Sequence, residues 1–278
     1  MTDSETPHSH SELFTLKIKG NRMGRFDKLE VSAEQPDERQ SSRAENARRD
    51  RSWLDQAIEE RRCGHYENGL RLYSRALEED KSLVSGWLGQ VQMLIFLDEL
   101  VEAELWSRKA LELFPGNGDL MAGRAQALGR NGDLTEALVL SDGSLRQSGQ
   151  SAYRWQVRGE LMAATRQDTD RHCFDKAMQA DPDWLVPLEI AAAYVHFNLP
   201  GRAVDRVRRS VALAPERYFA WFVQGRVERE LGLSTAEKSF RRCLDLCPGH
   251  IEAARCLREL EQSGRSLKQM WRRIFGSR

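Results

Sequence analysis

The chain has 278 residues, enough for one large domain or two smaller ones, and a stacked array of repeats can form one body of that length. Its 42 Lys and Arg balance 42 Asp and Glu, so no global field draws it to nucleic acid or to acidic membranes, and a charge-driven partner must be met by a local patch. Five cysteines, at 63, 173, 243, 247 and 256, are an odd and scattered set, unlike the dense framework of a small secreted domain, and point to a reducing compartment.

The chain opens with MTDSETPHSHSE, polar and acidic, with no apolar signal core, and nowhere does a run approach the roughly 18 apolar residues needed to cross a bilayer. A cytoplasmic protein is therefore expected. Residues 1–49 are rich in Ser, Glu, Asp and Arg and are expected to form a largely disordered tail. One apolar island interrupts it, LFTLKIKGNRMGRFDKLEV at 13–31. There Phe14, Leu16 and Ile18 alternate with polar residues as in a strand, and Gly20-Asn21 suits a turn. An isolated hairpin of this size is marginal in water, so the island is expected to act as a short docking segment.

From residue 50 onward two kinds of marker recur. Trp53 and Trp87 lie 34 residues apart, Trp155 follows 68 later, and Trp221 comes 66 after that. Pro115, Pro182, Pro215 and Pro248 are separated by 67, 33 and 33 residues, each closing an apolar helical run such as ALELFP or SVALAP. Tryptophan opens a unit and proline ends it. Between them small residues fall where two packed helices must approach, with Gly64 and Gly132 ending first helices and Ala103, Ala137, Ala203 and Ala236 inside second ones.

This pattern resembles the tetratricopeptide-repeat family, most clearly in WLDQAIEERRCGHYENGLRLYSRALEED at 53–80 and VEAELWSRKALELFPGN at 101–117. The resemblance implies an all-α fold, a right-handed superhelical α-solenoid of about six helix-turn-helix repeats plus a C-terminal capping helix. In that register the solenoid occupies 50–262, with repeats at about 50–83, 84–117, 118–151, 152–183, 184–217 and 218–250 and the cap at 251–262. The fourth and sixth repeats are each one residue short between their helices, which predicts a tighter turn. The third carries Gly143 inside its second helix, at a cost of roughly 1 kcal/mol relative to alanine, and has no closing proline, so a soft joint is expected at 141–150.

The same resemblance implies a concave groove lined by first helices that accepts an extended peptide or a short helix. Its positions fall here on Leu88, Gln92 and Phe96, then Gln126 and Arg130, then Gln156 and Glu160, then Leu188, Ala192 and His196, and finally Phe222, Arg226 and Arg229. Chaperone-binding members clamp a C-terminal carboxylate with lysine and asparagine. The matching positions hold Leu54, Ile58 and Gly89, so that clamp is absent. Amides and a few aliphatic or aromatic anchors suit a protein or peptide partner better than a small metabolite.

After Gly264 the segment 263–278 reads as a basic amphipathic helix. Leu267, Met270, Trp271, Ile274 and Phe275 share one face and Lys268, Arg272 and Arg273 the other, with Ser266 as N-cap and Gly276 as terminator. Such a helix can dock on a partner, make weak contact with the inner-membrane surface, or fold back on the last repeat. A membrane-peripheral assembly or localisation factor is accordingly a second reading, and a helical-repeat RNA binder a third that the neutral balance argues against.

No phosphate loop, GxSxG elbow or HExxH helix is present, and the repeats leave no length for a catalytic domain, so neither an enzyme nor a cofactor is expected. Cys243 and Cys247 in CLDLC share a helical face, but a buried cysteine packing as a small apolar residue is the simpler reading, and no metal site is expected. The Arg-, Ala- and Leu-rich usage is compatible with a bacterial source.

Overall fold

The computed structural model describes residues 52–149 and 151–262, all helix and turn. The tail 1–49, its segment 13–31 and the C-terminal segment 263–278 with Leu267, Met270, Trp271, Arg272, Arg273, Ile274 and Phe275 lie outside the described residues. Two compact units divide at Pro115 and Gly116.

The first unit holds two helical hairpins, α1 (Trp53–Arg62) with α2 (Tyr66–Glu79), and α3 (Val84–Phe96) with α4 (Leu100–Leu113). Its core joins Ala57, Tyr73, Met93 and Phe96, with Leu54, Tyr66, Leu70 and Leu72 packed around them. The second unit holds four more: α5 (Gly118–Asn131) with α6 (Leu134–Arg146), α7 (Ala152–Ala164) with α8 (Asp170–Ala180), α9 (Leu185–His196) with α10 (Pro200–Leu213), and α11 (Tyr218–Glu230) with α12 (Ala236–Leu246). A further helix, α13, runs over 251–262. One of its cores joins Ala122, Ala125, Leu128, Ala137, Val157 and Leu161.

Each hairpin turns in a similar way. One or two places past the end of each first helix stands a left-handed residue: Gly64, Asp98, Gly132, Arg166, Asn198 and Gly232, with φ between 56° and 99°. The next amide reaches back five residues, as in His65 N to Glu60 O at 2.9 Å and Asp133 N to Leu128 O at 2.9 Å, which satisfies carbonyls the helix end would leave open. Several helices also have a side-chain cap: Ser52 on α1, Asn117 on α5, Asp133 on α6 and Ser151 on α7.

The tryptophan and proline markers acquire a physical meaning. The Trp87 indole donates to Lys81 O at 2.9 Å and the Trp221 indole to Pro215 O at 2.8 Å, six residues back in both cases, so the opener of one hairpin holds the linker from the previous one. Ala103, Ala137 and Ala203 are fully buried and Ala236 nearly so, as close helix approach requires.

Two expectations are corrected. The turns of the fourth and sixth hairpins are longer, not tighter: residues 165–169 and 231–235 are outside helix, against 132–133 in the third hairpin. The shortening is absorbed by the second helices, since α8 and α12 have 11 residues while α4 and α10 have 14. Nor does α6 break at Gly143. It runs to Arg146, and Gly143 is buried where an added Cβ would stand 2.7 Å from the Met121 methyl, so its missing side chain serves packing. The absent closing proline is replaced by Arg154, whose NH1 donates to the carbonyls of Gln147, Ser148 and Gly149 at 3.2, 3.2 and 2.7 Å while Nε pairs with Asp119 at 2.9 Å.

Candidate partner-binding face

Within each unit the repeat period brings matching faces of successive first helices side by side. In the first unit α1 and α3 meet through Arg61, whose NH1 donates to Gln92 Oε1 at 2.6 Å. Phe96 stacks on Tyr66 with centroids 4.8 Å apart. Gln92 and Phe96 are buried, whereas Leu88 is half-buried, as is Leu54 one repeat earlier, and Ile58 is 41% exposed.

In the second unit the polar positions form a ladder. Tyr153 donates to Gln126 Oε1 at 2.6 Å, Gln126 Nε2 donates to Glu160 Oε2 at 2.7 Å, and Arg130 Nε donates to Glu160 Oε1 at 2.5 Å. The Glu160 and Arg130 side chains are only 1% and 5% exposed, a buried ion pair whose second carboxylate oxygen is met by Gln126. Gln156 Nε2 continues the row to Glu189 Oε2 at 3.3 Å. His196, half-buried, faces the Arg130–Glu160 pair from α9. Its imidazole is pushed down to about 4, first by burial and then by the Arg130 charge, with Glu160 opposing.

Farther along the same unit, Leu188, Ala192 and Phe222 are buried. Phe222 sits 4.4 Å from the His250 ring and 6.2 Å from Phe240, and the Arg226 guanidinium lies over it at 5.7 Å. Burial lowers the Arg226 pKa, with the Glu252 charge opposing. Arg229 NH1 donates to Cys256 Sγ at 3.2 Å and to Glu259 Oε2 at 3.0 Å. Gln126, Arg130, Gln156 and Glu160 therefore lie in one row of polar contacts, while Leu88, His196, Arg226 and Arg229 are half-buried and keep part of their surface toward solvent.

Sequence reasoning passed over Tyr153 and Glu189, which complete the ladder, and Asp170. Asp170 sits where Ala103, Ala137, Ala203 and Ala236 sit in other repeats, yet it is fully buried. Its Oδ2 accepts from Arg202 NH1 at 2.8 Å, and it is hydrogen-bonded to Tyr194, whose phenol is pushed up by burial and by the Asp170 charge. A charged residue in a column of alanines was a readable signal.

Cys243 is fully buried and burial pushes its thiol up to about 12, consistent with a packed apolar role. Among the described residues no group of three or more His, Cys, Asp or Glu converges as a metal site, and no helix is long and apolar enough to cross a membrane.

No protein-family model matches the chain, and no curated protein matches it. Solved structures do. The thermophilic tetratricopeptide-repeat protein TTC0263 of Thermus thermophilus matches with a TM-score of 0.50 at 18% identity, covering 65% of this chain and 98% of that one. The chain has a tetratricopeptide-repeat fold. A tetratricopeptide-repeat protein from Parabacteroides merdae ATCC 43184 matches with a TM-score of 0.47 at 15% identity, over 74% of this chain and 82% of that one. The Cut9–Hcn1 hetero-tetramer of the APC/C matches with a TM-score of 0.47 at 16% identity, where the match spans 74% of this chain but only 42% of that one. At these identities the likeness is one of fold, and the tetratricopeptide repeat here is defined by its own hairpins and turns.

Proposed function

We infer that this tetratricopeptide-repeat chain is a non-catalytic scaffold that holds a peptide or short helix of a protein partner on the face formed by its first helices. The observation that supports it is the row of matching first-helix positions within each unit. Polar bonds between neighbouring helices brace the row, and half-buried side chains punctuate it at Leu88 in the first unit and at His196, Arg226 and Arg229 in the second. Because the buried amides and the Arg130–Glu160 pair are already engaged with one another, they fix the spacing of the row. Recognition then falls to the half-buried apolar and cationic groups, which keep solvent-facing surface even where, as with Arg229 and Glu259, an intramolecular partner is present.

The test is selection of binding sequences from a random peptide display library by the full chain, followed by fluorescence polarisation on enriched peptides. Leu88→Lys and Arg229→Glu are each expected to weaken peptides selected on their own unit by about tenfold, the scale of one lost anchor. A chain that enriches no sequence, or peptides indifferent to both substitutions, overturns the reading.

A further inference from the structure

We propose that the first-helix face of residues 52–115 has a built-in occupant, the chain's own segment 14–19, which docks there as an extended peptide. The inference rests on the reading of that face as a binding surface and names what it binds.

The receiving surface is apolar where a peptide would lie. Ile58 is 41% exposed on α1, Leu54 is half-buried one turn before it, and Leu88 is half-buried on α3 at the register position of Leu54. Leu54 packs on the core cluster of this unit, so it forms a fixed floor. An α1 of 10 residues spans about 15 Å, close to what five or six extended residues cover at about 3.3 Å each.

Three features single out 14–19 as the occupant. Phe14, Leu16 and Ile18 alternate with Thr15, Lys17 and Lys19, so an extended chain turns three apolar side chains to one side and two ammonium groups to the other. Residues 52–115 carry twelve acidic against seven basic residues, whereas 13–31 carry two acidic against five basic, so the two attract. With Lys17 and Lys19 on the side away from the apolar contact, this attraction is long-range and pairs neither with a carboxylate of α1. Lastly, 33 residues separate Ile18 from Ser52, a tether whose root-mean-square span is about 30 Å if flexible, enough to reach either helix of this small unit.

Such a tether holds its end at an effective concentration of about a millimolar, so docking with a dissociation constant of about 0.1 mM keeps the face about nine-tenths occupied. A partner peptide of micromolar affinity competes with the segment for the same face.

The experiment uses the full chain with a photo-reactive benzoylphenylalanine replacing Ile58, irradiated at low concentration and mapped by mass spectrometry. Adducts to residues 13–19 of the same chain are expected. Adducts to another segment or to a second copy, or none to any polypeptide, overturn the docking. A second measurement follows amide exchange of residues 13–19, expected to be about tenfold slower in the wild type than in L16D/I18D, whose changes lie outside the folded repeats. Equal exchange in both overturns the proposal. If the library peptides still depend on Leu88 while Ile58 cross-links elsewhere, the docking fails and the scaffold reading stands. If no peptide is selected while the 13–19 adduct forms, the reverse holds.

Discussion

Gly118 and Arg154 form a pair in which the absence of one side chain makes room for the other. A Cβ on Gly118 would stand 2.3 Å from the Arg154 guanidinium carbon, so alanine there must expel the guanidinium from three linker carbonyls and from Asp119. Losing hydrogen bonds from a buried charged group costs about 2–3 kcal/mol. Both G118A and R154A are therefore expected to lower the urea midpoint by that scale. In an R154A background, adding G118A should cost less than about 0.5 kcal/mol, because the space is already vacant. Additive losses would show that the glycine serves something other than the arginine. Neither member of this pair was visible in the sequence. The missing proline and Gly143 marked the third repeat as irregular, but a distant arginine replacing the proline is a contact that no local pattern records.

At the scale of elements, the helices were legible because their causes are local, whereas the lengths of the fourth and sixth turns were not, since the second helices absorbed the missing residue. Left-handed turns are announced by glycine at 64, 132 and 232, although Asp98, Arg166 and Asn198 fill the same geometry without announcing it. The polar ladder was half legible: the family resemblance, carried over by register, put Gln126, Arg130 and Glu160 on one face, but whether that face meets solvent or the next helix depends on stacking. His196 carries the consequence for α5, α7 and α9. Burial, and after it the Arg130 charge, holds the imidazole neutral down to about 4 in the folded chain, whereas in the unfolded chain it titrates near 6.5. Above that pH both states are neutral and the native contact is fully present. As pH falls from 6.5 towards 4 only the unfolded state takes the proton, so stability is lost. The loss between pH 6.5 and 5 should be on the order of 1–2 kcal/mol in the wild type and absent in H196Q, read from their urea unfolding curves at each pH. Parallel profiles would place His196 in a more open setting.

At the scale of the whole molecule, zero net charge conceals a division. Residues 116–262 hold twenty acidic and twenty basic residues, 52–115 hold an acidic excess, and 263–278 hold five basic residues and no acidic one. Overall neutrality therefore says little about what any one surface attracts. If segment 14–19 docks on the acidic first unit, long-range attraction and apolar contact both contribute, and salt separates them. The Debye length is about 10 Å at 0.1 M and shortens as salt rises, so attraction between exposed charges fades while apolar contact persists or strengthens. Amide protection at 13–19 is accordingly expected to fall several-fold as NaCl is raised from about 0.05 M to about 0.5 M, a range over which the screening length shrinks roughly threefold. Protection that holds or rises would leave Phe14, Leu16 and Ile18 as the whole of the interaction and remove charge as a reason for choosing this segment over any other apolar strand.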